Sequence, residues 1–270
     1  FYYPAGETLH PAQYSVLARP SFNEAISLVF GNLLPNTGMF HGFEYFQEID
    51  AFSRRPYLKF LAFADRLDAE KRFRLLGALN VKYLISFRPL PEKGITLVRH
   101  FAEYPSWLYK IDRTVPRVYI VNRTTIEKDS KQVLQRLASA DFDPAQEVLL
   151  DADLAIPQPR RLIASAEIIR YENQAVSIKA SLNDSGILVL ADSYYPGWNA
   201  YVDGKQETIY RANLFFRAVP LSAGTHTVEF RYEPRSFTIG LAVSMTTLLL
   251  VLVISIFLYW RKRSRNICPE

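Results

Sequence analysis

From residue 156 onward the chain alternates between apolar and polar positions. In "AVSIKASL" the apolar Val176, Ile178, Ala180 and Leu182 are separated by Ser177, Lys179 and Ser181. In "THTVEFRY" Val228, Phe230 and Tyr232 are separated by Glu229 and Arg231. A period of two places each apolar set on one face of a strand. Asp203-Gly204 lies between two strand-like runs, and a type I′ hairpin needs such a pair because both its central positions have positive φ. Six or seven short strands within roughly 75 residues predict an antiparallel β-sandwich over 156–236.

Upstream the pattern is mixed. "SFNEAISLVF" (21–30) opens on Ser21 with Glu24 three positions later, the capping-box spacing of a helix start. Residues 32–48 hold Pro35, Gly38 and Gly42 and read as a loop. Two short helices are predicted, one from Ser53 and one from Asp68, followed by a buried strand over 81–87. "WLYKI", "RVYIVN" and "EVLLDAD" are further strands, with a helix over 128–139. Helices alternating with short apolar strands predict an α/β layer over 1–155, and the two prolines of "DLAIPQPRR" mark its boundary.

At residue 237 the pattern changes again. Residues 237–260, "FTIGLAVSMTTLLLVLVISIFLYW", carry no charge. As a helix rising ~1.5 Å per residue this stretch is about 36 Å long, enough to cross a hydrocarbon layer of about 30 Å. The expected fold class is therefore an α+β ectodomain, an α/β layer followed by an antiparallel β-sandwich, plus one C-terminal transmembrane α-helix. Tyr259 and Trp260 suit the interfacial aromatic belt, and Arg261, Lys262, Arg263 and Arg265 follow, while the other flank mixes Glu229, Arg231, Glu233 and Arg235. The positive-inside rule places the tail 261–270 in the cytoplasm and residues 1–236 outside it.

"FYYPAGETLH" has neither a basic n-region nor an apolar h-region, so that placement implies an earlier membrane helix. The chain reads as the C-terminal piece of a longer polytopic protein. Gly240 with Ser244, and Ala242 with Thr246, line part of the helix with small residues, a face suited to packing on such neighbours.

Charge and cysteine content narrow the chemistry. The net charge is +5, but the tail contributes four positive charges and Glu270 one negative, leaving +2, which gives no footprint for nucleic acid. The single Cys268 lies beyond the span, so the ectodomain relies on packing rather than disulfides. His10, His41, His100 and His226 fall singly, and no phosphate-binding glycine loop or nucleophile elbow is present; neither a metal nor a cofactor is expected. His226 takes the inward register of its strand and reads as a partly buried polar residue.

Aromatic residues crowd "ADSYYPGWNAYVDGKQETIYRAN" (191–213). With Asp203-Gly204 as the turn, Trp198 shares a face with Ala200 and Val202 and is most simply a core residue. Tyr194 and Tyr195 precede Pro196-Gly197 in a loop at the sheet end, where binding residues concentrate. Together with Asp192, Arg211 and Asn213 they are candidate glycan contacts; the competing reading has the three polar residues satisfying turn backbone groups. Glu44, with Glu48 and Asp50 beside an aromatic loop, is a further candidate, since sugar chemistry uses carboxylates in such settings.

Tyr195-Pro196-Gly197-Trp198, Val202-Asp203-Gly204, Arg211-Ala212-Asn213, Phe216-Arg217-Ala218-Val219, Ala223-Gly224-x-His226 and the helix entry Tyr232-x-Pro234-x-Ser236-Phe237 resemble the C-terminal end of the YfhO family of bacterial polytopic membrane proteins. "NLLPNTGMFHGFEYFQEIDAF" and "LLGALNVKYLIS" resemble two other stretches of that family. The resemblance implies a GT-C-like glycosyltransferase that draws sugar from a polyprenyl-phosphate donor and transfers it to a cell-envelope glycopolymer. Its catalytic carboxylates belong to an early extracytoplasmic loop that none of these stretches matches, so this chain is expected not to catalyse transfer itself. The implied partners are membrane lipid, upstream membrane helices, the polyprenyl-linked sugar and the glycopolymer. The alternative is a non-catalytic glycan-binding or envelope-assembly membrane protein.

Overall fold

In the computed structural model, which describes residues 55–86, 88–90, 93–102, 106–154 and 161–265, two short helices come first, α1 (Arg55–Ala64) and α2 (Ala69–Ala78). Asp68 starts α2: its side chain accepts the Lys71 N–H at 2.9 Å, satisfying one of the donors a helix start leaves open. Strands β1 (Tyr83–Ser86), β2 (Ile95–Phe101) and β3 (Ser106–Ile111) form an antiparallel sheet in the order β1-β3-β2. Then come β4 (Val118–Val121), β5 (Arg123–Ile126), α3 (Ser130–Leu137) and β6 (Glu147–Leu150). Asp129 caps α3, accepting from the Lys131 and Gln132 N–H groups.

Eight strands follow, where the sequence pattern predicts six or seven. They are β7 (Ala164–Tyr171), β8 (Ala175–Leu182), β9 (Gly186–Leu190), β10 (Trp198–Val202), β11 (Lys205–Glu207), β12 (Tyr210–Ala212), β13 (Phe216–Leu221) and β14 (Gly224–Tyr232). The last helix, α4 (Arg235–Arg265), leaves directly from the end of β14. Strands β2 and β5 are additions to the elements expected from sequence. The helix start at Ser21, the loop 32–48 with Glu44, Glu48 and Asp50, the prolines of residues 155–160 and Cys268 lie outside the described residues.

Two sheets face each other. One has the order β11-β10-β14-β8-β7, the other β4-β9-β13-β12-β6-β5, and among them only β5 and β6 run parallel, joined through α3. Val176, Ile178, Val228 and Phe230 of the first sheet bury themselves against Leu188, Leu190, Val219 and Leu221 of the second. The second sheet also has a buried opposite face. Tyr119, Val121, Ile187, Val189, Phe216 and Ala218 form a core with Phe60 of α1, Leu75 and Leu76 of α2, and Leu134 and Leu137 of α3.

A sheet covered on both faces has no polar side to show, and β9, "GILVL", is accordingly buried at every position. Strand β8 is covered on one face and alternates, as its sequence does. The architecture is the α+β class that the pattern predicts, with sandwich-like sheets and an apolar C-terminal helix.

The six-stranded sheet draws strands from both sides of residues 155/156, where the prolines predict a boundary. Val118 of β4 pairs with Leu190 of β9, and Leu150 of β6 with Ala212 of β12. The hydrogen bonding of the sheet therefore continues across residues 155/156.

The β10–β11 turn has Asp203 at φ 50° and Gly204 at φ 79°, the two positive values expected of an Asp-Gly hairpin. Helix α4 carries the apolar stretch: within Arg235–Arg261 its most apolar 18 residues have a mean hydropathy of 2.7, and none of them is buried against the rest of the chain. Such a surface suits lipid.

Candidate functional site

The expected glycan contacts separate into three groups. Asp192, two residues beyond the end of β9, points inward, with only 8% of its surface exposed. Its Oδ1 accepts from Arg117 Nε at 3.0 Å and Nη2 at 2.7 Å, and its Oδ2 from Arg217 Nη2 at 2.8 Å. The Tyr171 hydroxyl donates to the same Oδ2 at 3.3 Å and also meets Arg117 Nη2. One carboxylate thus holds two guanidinium groups and a phenol.

Arg217 explains why this cluster exists. It sits on β13 between Phe216 and Ala218, which face the helical core, so the alternation of the strand turns Arg217 into the sandwich. Its side chain is 3% exposed and its guanidinium carbon lies 3.9 Å from the centre of the Trp198 ring and 5.1 Å from that of Phe230. Burial pulls its pKa down to about 10, with the Asp192 charge opposing the shift, so it remains a cation near neutral pH. Its Nε and Nη1 have no hydrogen-bond acceptor. The Trp198 face supplies an attraction of up to about 2 kcal/mol for a desolvated cation, which offsets part of that loss.

Trp198 therefore does what its register predicts. It packs against the sandwich core beside Ala200, which is fully buried, and Val202. On the other side of the strand, Asn199 and Tyr201 both donate to the Glu233 carboxylate, at 2.7 and 2.9 Å. Those two hydrogen bonds hold the Glu233 pKa below its ordinary value.

Asn213 forms the second group. It is fully buried, its side-chain oxygen accepts the Leu149 N–H at 3.0 Å, and its amide donates to the Tyr119 hydroxyl at 3.2 Å. With φ at 47° it opens the β12–β13 turn. The structure gives it the backbone-satisfying role, and none of its surface faces solvent. Burial in turn raises the pKa of Tyr119. Arg211, on β12 and two residues before Asn213, pairs with Asp151 at 2.9 Å and lines a shallow cleft with Glu127, Lys128 and Ser130. That cleft lies over the ends of the parallel strands and the start of α3.

Tyr194 and Tyr195 form the third group and stay at the surface, 39% and 49% exposed. The Tyr194 N–H donates to Phe215 O at 2.5 Å, which ties their loop to the β12–β13 turn. Glu44 lies outside the described residues. The structure thus brings Asp192, Tyr194 and Tyr195 to one end of the sandwich, with Arg117, Tyr171, Trp198 and Arg217. It places Arg211 and Asn213 further along the six-stranded sheet.

Sequence reading misses Arg117, Tyr171 and Arg217. For Arg217 a signal exists: a charge on an otherwise apolar strand, "FFRAV", demands a buried partner. For Arg117 and Tyr171 none exists, because their partner is distant in the chain. Among the described residues no group of three or more His, Cys, Asp or Glu side chains is arranged to hold a metal ion.

At the far end of the sandwich, His226 joins two turns. Its Nδ1 lies 2.7 Å from Asp203 Oδ2, and its Nε2 3.1 Å from the Ser222 carbonyl oxygen. The ring is partly buried, as its register predicts.

Residues 160–244 match the profile of the family described as "Bacterial membrane protein YfhO". No curated protein and no solved structure matches the chain. The matched segment takes in β7 to β14, the Asp192–Arg217 pair, the Tyr194–Gly197 loop and the first turns of the apolar helix. Over residues 160–244 the chain is thus similar to the C-terminal region of the YfhO family of bacterial membrane proteins.

Proposed function

We propose that the chain is the C-terminal extracytoplasmic part and last membrane helix of a polytopic, envelope glycosyltransferase-like protein. In this reading the parent uses a polyprenyl-phosphate-linked sugar donor, and the part described here handles glycan without catalysing transfer. The membrane helix belongs in the bacterial cytoplasmic membrane with its basic tail in the cytoplasm. The observation that carries the reading is the position of Tyr194 and Tyr195. Two exposed tyrosines lie beside a partly buried Arg-Asp-Arg cluster at the end of the sandwich from which the membrane helix departs. Aromatic faces beside fixed charged groups suit a hydroxyl-rich ring, and nearness to the bilayer suits a sugar carried on lipid.

The test is sugar transfer by the reconstituted parent protein, from a polyprenyl-phosphate sugar to isolated envelope glycopolymer. Tyr194→Ala with Tyr195→Ala should lower transfer at least about tenfold, a loss of ~1.4 kcal/mol in transition-state stabilisation, without lowering the amount of folded protein. A parent that transfers sugar equally well with both changes overturns the assignment of the tyrosines. A parent that binds glycopolymer but transfers nothing points to the alternative, a non-catalytic glycan-binding or assembly protein.

A further inference from the structure

The root of α4 is bound into the sandwich at two points. The Glu233 N–H donates to Gly197 O at 2.7 Å, and the Tyr232 N–H to Gln174 O at 2.9 Å. Gly197 lies so close that a Cβ there would stand 2.9 Å from the Tyr232 ring and 3.2 Å from Pro234 Cβ. Its φ of 103° is open to glycine and strained for other residues. The loops 172–174 and 192–197 therefore flank the start of the membrane helix on the same end of the sandwich.

Depth follows from the helix itself. Pro234 precedes the uncharged stretch by three residues, about 4.5 Å along a helix axis. The polar layer on each side of a hydrocarbon core is about 5–8 Å thick, taking total thickness as ~40–45 Å against ~30 Å for the core. Gly197, in contact with Pro234, thus falls at headgroup level. Tyr195 is two residues from Gly197, at most about 7 Å away.

We infer that this end of the sandwich seats in the phospholipid headgroup layer of the bilayer that α4 crosses, with Tyr194 and Tyr195 as its contacts. A tyrosine ring suits that layer because its apolar body and its hydroxyl find different surroundings within a few ångströms. Arg235, exposed at the first position of α4, supplies a cation for lipid phosphate at the same level. The Asp203-Gly204 turn is at the opposite end of β10, about 14 Å further from the membrane. The contact holds for either orientation of the helix and does not depend on the glycosyltransferase reading.

The experiment uses the full chain with Cys268→Ser, reconstituted in phosphatidylcholine–phosphatidylglycerol vesicles. A single cysteine is introduced as Tyr195→Cys, Ser193→Cys or Lys205→Cys and labelled with an environment-sensitive fluorophore. Lipids carrying a nitroxide on the headgroup should quench the label at 193 and 195 at least about threefold more than at 205, and aqueous iodide should quench it correspondingly less. Equal quenching at 193, 195 and 205 overturns the inference. Ser193 guards against a local effect of removing the tyrosine ring, since a seated loop protects both positions. Protection at 195 that persists in protein held in detergent, where the headgroups are absent, assigns it to contacts within the chain and also overturns the inference.

Discussion

The guanidinium of Arg217, on β13, lies over the ring of Trp198, on β10, with 3.9 Å between its central carbon and the ring centre. The two strands belong to opposite sheets, so the stack closes the sandwich at the end nearest the membrane helix. Trp198→Ala removes the ring and leaves the cation over a void. Denaturant titration of the chain in micelles should show a loss of about 3–5 kcal/mol. Tyr195→Ala, at an exposed position, should leave the transition unchanged.

Asp192 is the charge that the cluster can least spare. Asp192→Ala leaves Arg217 buried without its carboxylate and should cost about 3–5 kcal/mol in the same titration. Arg217→Met removes the buried cation while Asp192 keeps Arg117 and Tyr171, so its cost should be distinctly smaller. Equal losses for the two changes would mean that the pair stabilises by packing alone.

Asp203 gives stability a pH dependence. Its carboxyl lies below the ordinary range because the His226 ring and the Thr227 N–H bond to its charged form. A carboxyl lowered by the fold contributes stability that is full above the unfolded value, about 4, and is lost as pH falls through the folded one. The unfolding midpoint should drop more steeply between about pH 5 and 2 in the native chain than in Asp203→Asn. Asparagine tolerates the positive φ of that turn, so the variant tests the charge and not the hairpin.

The hydrogen bonding across residues 155/156 predicts the fate of a truncation. A chain of residues 156–270 leaves β9 without β4 and β12 without β6, and it exposes Ile187, Val189, Phe216 and Ala218. It should be digested by protease under conditions in which the full chain resists. A resistant, cooperatively unfolding 156–270 would show that the sandwich stands alone.

The proposed topology is tested by thiol access. In intact cells producing the parent protein, a membrane-impermeant maleimide should miss Cys268 and label Lys205→Cys. The reverse pattern would turn the helix over and remove the extracytoplasmic assignment.

Much of the fold was legible because burial writes a period into sequence. Strand β8 has one covered face and alternates; β14 and the apolar helix are as clear. Strand β2 went unseen because all but one of its positions are exposed, so no apolar face marks it. Strand β5, "RTTI", sits at a sheet edge with little to bury.

The site was legible only in part. The exposure of Tyr194 and Tyr195 was legible because a Pro-Gly loop marks a chain segment at the surface. Asn213 reads as a candidate contact because the residue type that reaches for a ligand is also one that tolerates a left-handed turn. The partners of Asp192 lie on β4, β7 and β13 or beside them, and local sequence carries no trace of such pairing.

The six-stranded sheet also imposes an order on the making of the protein. Strands β4 and β6 leave the ribosome long before β9 and β12, the neighbours that complete their hydrogen bonding. Until residue 212 has been synthesised, β6 has only β5 beside it, and the helices α1 to α3 cover a sheet that is missing its centre. The nascent chain therefore presents unpaired strand edges to its surroundings until the later strands have been made. Closure of the sheet comes just before the apolar helix emerges, so folding of the domain and insertion of its anchor are nearly simultaneous events.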